Sequence, residues 1–169
     1  MRNIVLCGFM GCGKTTVGRL LAEKTGRRFV DMDAYIEKKA GMVITSIFQQ
    51  YGEAEFRRRE QEACRELAGQ ADLVIATGGG ALINPHNAAV LAETGDVVYL
   101  IVSPETVLRR LSGDTTRPLL ARPDKEAAVR ELLTARDPLY RRAASLTADG
   151  ELPPEQAAEE IARLTSESP

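Results

Sequence analysis

The segment Gly8-Phe9-Met10-Gly11-Cys12-Gly13-Lys14-Thr15 constrains this chain more than any other, because it completes the pattern G-x-x-x-x-G-K-[ST]. Its flanks fit the pattern. Asn3–Cys7 is a short apolar run suited to a buried strand, and Val17, Leu20, Leu21 and Lys24 follow at helical spacing. A loop between strand and helix can turn successive backbone N–H groups inward, and the helix N-terminus adds positive potential. Such a loop captures nucleotide phosphates. The expected contacts are Gly11, Cys12, Gly13, Lys14, Thr15 and Thr16, with Lys14 reaching the β- and γ-phosphates and the Thr15 hydroxyl ligating Mg²⁺.

Apolar strand-like runs alternate with helical patterns, which reads as an α/β chain with a parallel sheet. Strands are expected at Ile4–Cys7, Phe29–Met32, Leu73–Thr77, Val97–Val102 and Ser145–Ala148. Asn84-Pro85 and Ser103-Pro104 each set a cap before a first-turn proline. Pro153-Pro154 opens a last helix with Ala157, Ile161 and Leu164 on one stripe. A length of 169 residues suits a single domain, 1–169, interrupted by a helical insert over 34–69 and by the stretch 112–124. That second stretch lacks an apolar face and reads as a mobile loop.

Composition narrows the partners. A net charge of −2 and 5% aromatic residues argue against nucleic-acid binding, and no stretch is long enough to span a membrane. Arginine supplies 17 of the 22 basic residues. Its planar fork suits carboxylate and phosphate, although a GC-rich coding sequence would give the same bias. Cys7, Cys12 and Cys64 have no metal-ligand spacing and their odd number argues against a disulfide framework, while His86 alone cannot build a metal cluster. No signal peptide is read at the N-terminus, so a cytoplasmic protein is expected. A monomer is expected too, since no apolar stripe is left over. Cys12, beside Lys14 and a helix N-terminus, is expected to be the most alkylation-prone thiol, with Cys7 inert.

The acceptor side starts from Asp31-Met32-Asp33 at the end of the second strand. Alternate residues of an extended segment point the same way, so both carboxylates can face the cleft at the carboxyl ends of the strands. One can serve the Mg²⁺ shell while the other holds an acceptor hydroxyl and takes its proton. The third strand ends in Gly78-Gly79-Gly80, which suggests close approach of backbone to a ligand. Arg57, three residues before Glu60 on one helix face, Arg117, and Arg136, expected just after a helix, supply guanidiniums. Each alone is more often a surface charge than a ligand. Together they suggest a small acceptor with a carboxylate and hydroxyls.

In their order and spacing, Gly8–Thr15, Asp31-Met32-Asp33, Gly52–Arg57, Gly78-Gly79-Gly80, Thr116-Arg117-Pro118-Leu119-Leu120 and Arg136–Tyr140 resemble shikimate kinases along nearly the whole chain. The resemblance implies a P-loop NTPase fold like that of nucleoside monophosphate kinases: three layers, with a five-stranded parallel sheet flanked by helices. It implies transfer of the γ-phosphoryl of ATP to the 3-hydroxyl of shikimate, a step toward chorismate and the aromatic amino acids, with Mg²⁺ as cofactor. It makes Asp33 the contact to the acceptor hydroxyl and the base, with Lys14 and Arg117 also catalytic. Arg57 and Arg136 become clamps on the shikimate carboxylate, with Gly78, Gly79 and Gly80 beside them. Arg117 resembles a lid arginine over the phosphates, Arg110 an adenine-side contact, and Asp31 part of the Mg²⁺ surroundings through water. A gluconate kinase or a nucleoside monophosphate kinase would share the phosphate loop but not need Arg57, Arg136 and the glycines. A GTP-dependent switch would need an Asn-Lys-x-Asp segment, which the sequence lacks.

Overall fold

β1 (Asn3–Cys7) is buried along its whole length and lies at the centre of a five-stranded sheet. The other strands are β2 (Arg28–Asp31), β3 (Leu73–Ala76), β4 (Gly95–Ile101) and β5 (Leu146–Asp149), in the order β2-β3-β1-β4-β5 with every pair parallel. Parallel strands are covered on both faces, which is why the central ones read as continuous apolar runs. Each expected strand is found, with ends within two residues of those read from the sequence. The computed structural model describes residues 1–112 and 122–168.

Eight helices are described: α1 (Lys14–Thr25), α2 (Met32–Ala40), α3 (Ile44–Tyr51), α4 (Glu53–Ala68), α5 (Pro85–Thr94), α6 (Pro104–Arg110), α7 (Lys125–Ala143) and α8 (Pro154–Ser166). A short 3₁₀ turn spans Ala81–Ile83. α1 packs on α8, α4 on α5, and α7 on both α6 and the 3₁₀ turn. Asn84 and Ser103 cap α5 and α6 by accepting from the backbone N–H groups of His86 and Thr106, each just before its proline. Leu6, Leu21, Ile75, Leu100 and Ile161 are fully buried in the core. Burial of each such side chain contributes about 1.5–3 kcal/mol. Among the described residues no helix is long and apolar enough to cross a membrane.

Two local expectations are corrected. The strand over Phe29–Met32 stops at Asp31, and Met32 and Asp33 already belong to α2. Asp31 caps that helix: its backbone is extended and its carboxylate accepts from Ala34 N–H at 3.1 Å. The segment Arg136–Tyr140 does not follow a helix but lies inside α7, which continues through Pro138. Proline there leaves the Thr134 carbonyl without its helical donor. Tertiary bonds on either side offset the loss: Asp137 accepts from the Tyr99 hydroxyl at 2.7 Å, and Tyr140 is buried.

Candidate active site

Beyond the carboxyl ends of β1, β2 and β3 lies a cavity of about 590 Å³. The phosphate loop forms one wall. Gly11 and Gly13 have φ of 74° and 96°, a left-handed conformation open to glycine, and Gly13 is the N-cap of α1. The N-terminus of that helix therefore sits at the rim, with Gly11, Gly13, Lys14, Thr15 and Thr16 along the wall. Lys14 bends over the loop and its ammonium donates to the carbonyls of Gly8 at 2.7 Å and Phe9 at 3.0 Å. The Thr15 hydroxyl donates to Asp31 Oδ2 at 3.3 Å. Arg110, at the end of α6, donates to the carbonyls of Gly11 at 3.2 Å and Gly150 at 2.9 Å, tying the phosphate loop to the turn after β5.

Cys12 does not reach the cavity. Its backbone N–H closes the loop onto the Phe9 carbonyl at 3.2 Å, and its side chain is 1% exposed, 3.5 Å from Lys14 Nζ. The expectation of an alkylation-prone thiol is thus overturned, because a reagent cannot reach the sulfur. All three cysteines are buried, and burial pushes the thiols of Cys7 and Cys64 up to about 12.

The opposite wall is the acceptor side. Asp33, in the first turn of α2, and Asp31 both line the cavity, although the strand alternation expected to aim them there is not what does so. Gly78, Gly79 and Gly80 run along the wall without a positive φ. What a side chain here would meet is the Asp33, Arg136 and Arg57 side chains. A Cβ on Gly78 would lie 2.8 Å from Asp33 Oδ1, one on Gly79 would lie 3.8 Å from Arg136 Nη1, and one on Gly80 would lie 2.7 Å from Arg57 Nη1. The triplet is threaded between a carboxylate and two guanidiniums. Arg117 lies outside the described residues, as does most of the stretch 112–124.

Arg57 is held by a residue that sequence reasoning named only as its neighbour. Glu60, 2% exposed, accepts from Arg57 Nη1 at 3.0 Å. Burial raises the Glu60 carboxyl above its ordinary range, against the pull of Arg57. The signal was present: Phe56, Glu60, Ala63, Cys64 and Leu67 recur at helical spacing on the buried face of α4. Tyr140 was also missed as an individual residue. Its ring stacks on Tyr99 with centroids 5.2 Å apart, and its hydroxyl donates to the Gly79 carbonyl. Arg136, one turn earlier on α7, lies over the Phe9 ring at 5.8 Å.

A loop for phosphates faces Asp33 and Arg136 across one cavity, with Arg57 behind Gly80, and comparison with known proteins bears on that arrangement. The family model described as shikimate kinase matches residues 10–165. A shikimate kinase of Geobacter sulfurreducens is 52% identical over 139 residues, covering 82% of this chain and 77% of that one. Another, of Stenotrophomonas maltophilia, is 48% identical over 163 residues, covering 96% and 89%. The solved structure of shikimate kinase from Acinetobacter baumannii in complex with shikimate superposes with a TM-score of 0.91 at 44% identity, covering 98% of this chain and 93% of that one.

Proposed function

Since the chain belongs to the shikimate kinase family, we propose that its cleft transfers the γ-phosphoryl group of ATP to the 3-hydroxyl of shikimate, giving shikimate 3-phosphate and ADP. The observation that carries this reading is the glycine triplet. Its backbone passes Asp33, Arg136 and Arg57 at the edge of a cavity whose other wall is the phosphate loop. A small acceptor with a carboxylate at one end and hydroxyls at the other matches that spread of charge.

Phosphoryl transfer asks the protein mostly for positioning and charge stabilisation. The loop amides and Lys14 bind the β- and γ-phosphates, Lys14 exchanging its bonds to Gly8 and Phe9 for phosphate oxygens. Gly11, Gly13, Thr15 and Thr16 complete that contact, and Arg110 lies on the adenine side. Arg57 and Arg136 grip the carboxylate of shikimate, whose planar pair of oxygens suits a guanidinium fork. Backbone groups of Gly78, Gly79 and Gly80 lie alongside. Asp33 holds the 3-hydroxyl and accepts its proton as the new P–O bond forms and the bond to ADP breaks.

Kinases acting on ATP generally work with Mg²⁺, and the oxygen donors here suit it: the Thr15 hydroxyl and Asp31 carboxylate lie 3.3 Å apart at the loop's mouth. Thr15 would hold the ion directly and Asp31 through water. Bound there, it would neutralise charge building on the β- and γ-oxygens. Arg117, outside the described residues, is proposed from the family pattern as a lid arginine on the transferred group. Three unbridged thiols fit the reducing cytoplasm, where we propose the protein acts as a monomer.

The test is ADP release by the purified chain with MgATP and, in parallel, shikimate, gluconate and nucleoside monophosphates. Turnover is expected with shikimate alone. Faster turnover with gluconate or a nucleotide acceptor would overturn the reading.

A further inference from the structure

Three consecutive glycines have no side chains to hold them and are the least restrained peptide units in a chain. In the acceptor wall, however, the carbonyls of Gly78 and Gly79 are engaged. Gly78 O accepts from Ala81 N–H at 3.1 Å, and Ala81 O accepts from Asn87 Nδ2 at 3.0 Å. Gly79 O accepts from the Tyr140 hydroxyl. Tyr140 is 1% exposed and does not line the cavity, so it approaches the triplet from the protein side. Burial pushes its hydroxyl up to about 12, with Arg136 pulling the other way, so it is a proton donor at neutral pH.

The ring itself cannot swing. It stacks on Tyr99, whose hydroxyl donates to Asp137 Oδ1 at 2.7 Å, and Asp137 Oδ2 accepts from Arg141 Nε at 2.8 Å. Burial raises the Asp137 carboxyl, but the bonds from Arg141 and Tyr99 outweigh it and leave the group below its ordinary value.

The geometry points to Tyr140 as a positioning residue for the acceptor: by donating to the Gly79 carbonyl it fixes the Gly79–Gly80 peptide so that the Gly80 N–H faces the substrate. A trans peptide is planar, with its C=O and N–H opposed. Pinning the carbonyl to Tyr140 therefore turns the Gly80 N–H to the far side, which is the cavity side. Arg136 lies four residues before Tyr140 on the same helix, so α7 sets both the guanidinium and the amide against which the acceptor rests. Loss of the hydroxyl would leave a half-buried carbonyl without its donor, and the unrestrained glycine peptide would rotate to find one.

The inference rests on the reading of the cleft as a shikimate site, and the test separates the two. Shikimate and ATP affinities are measured by calorimetry, with melting temperatures, on the full chain and on Tyr140→Phe and Tyr99→Phe. Tyr140→Phe keeps the stacked ring and removes the donor; Tyr99→Phe removes a hydroxyl from the same stack without touching the glycines. Tyr140→Phe should bind shikimate about 5–10-fold more weakly, as for one lost hydrogen bond. ATP affinity should stay within about twofold, and Tyr99→Phe, which loosens the ring but keeps the donor, should weaken shikimate less than Tyr140→Phe does. Unchanged shikimate affinity in Tyr140→Phe, equal losses for both ligands, or an equal loss in Tyr99→Phe would overturn the role. Should Tyr140→Phe not fold, the Gly80 amide resonance of the ¹⁵N-labelled wild type decides, and indifference to saturating shikimate rejects the proposal. A wild type that binds no shikimate would take down the functional reading and this inference together.

Discussion

Gly80 and Gly13 would meet an added side chain differently, and the difference shows in what alanine would do. At Gly13 the backbone φ of 96° is itself strained for an L-residue, so Gly13→Ala should lower stability and nucleotide binding together. At Gly80 the added methyl would meet only the far end of Arg57, 2.7 Å away. A flexible side chain can swing aside at low cost, so Gly80→Ala should melt close to wild type while its KM for shikimate rises about tenfold, the loss of one charged hydrogen bond. An unchanged KM in calorimetrically native Gly80→Ala would reject the carboxylate clamp. Asp33→Asn preserves shape and removes proton acceptance, and should lower kcat by about 10²-fold at saturating substrates. Glu60 gives a pH dependence. Its carboxyl is raised on folding, so its contribution to stability is fully present below the ordinary value of 4.5 and is lost as pH rises through the raised value. As pH rises above 4.5 the wild type should therefore lose melting temperature relative to Glu60→Gln. The reverse slope would mean that Arg57 outweighs the burial.

A junction between elements gives Asp31 two tasks, and two substitutions separate them. Asparagine caps a helix as well as aspartate does, whereas alanine costs about 1 kcal/mol. Asp31→Asn should thus keep the stability of α2 and raise the Mg²⁺ concentration needed for half-maximal turnover; Asp31→Ala should do both kinds of harm. Equal Mg²⁺ dependence in wild type and Asp31→Asn would remove Asp31 from the metal's surroundings. The same junction shows where sequence reasoning stopped. The acids at 31 and 33 were legible as a pair, but their alternation along a strand was not their real geometry, because a capping bond at Asp31 ended the strand one residue early. α7 was cut short for a similar reason: Pro138 is a local stop signal, and the bond that offsets it runs from Tyr99 on β4 to Asp137, 38 residues away in the chain. The phosphate loop and the two proline-flanked caps were fully legible, since every residue that makes them lies within a few positions.

Across the whole molecule, hydrophobic runs announced a parallel sheet but not the order of its strands. Nothing in a run such as Leu73–Ala76 says that it lies between β1 and β2, yet that placement sets the glycine triplet beside both the phosphate loop and Asp31. β5 is an edge strand with only Ala148 buried, so its run carries less apolar signal than those of the central strands. Ile161, on α8, lines no wall of the cavity, which makes it a control for the site. Ile161→Ala should cost about 2–5 kcal/mol through lost burial and a cavity. The folded protein should nonetheless keep its kcat and its KM for shikimate; a changed KM would mean that core packing there is coupled to the acceptor. The stacked tyrosines carry one more consequence, an optical one. The chain contains no tryptophan and four tyrosines, and Tyr99 and Tyr140 are the two that are fully buried. Fixed, coupled rings in an asymmetric setting dominate near-ultraviolet circular dichroism, whereas the exposed ring of Tyr51 adds little. The native protein therefore carries an unlabelled chromophore beneath its acceptor site, and its tyrosine band should respond to shikimate.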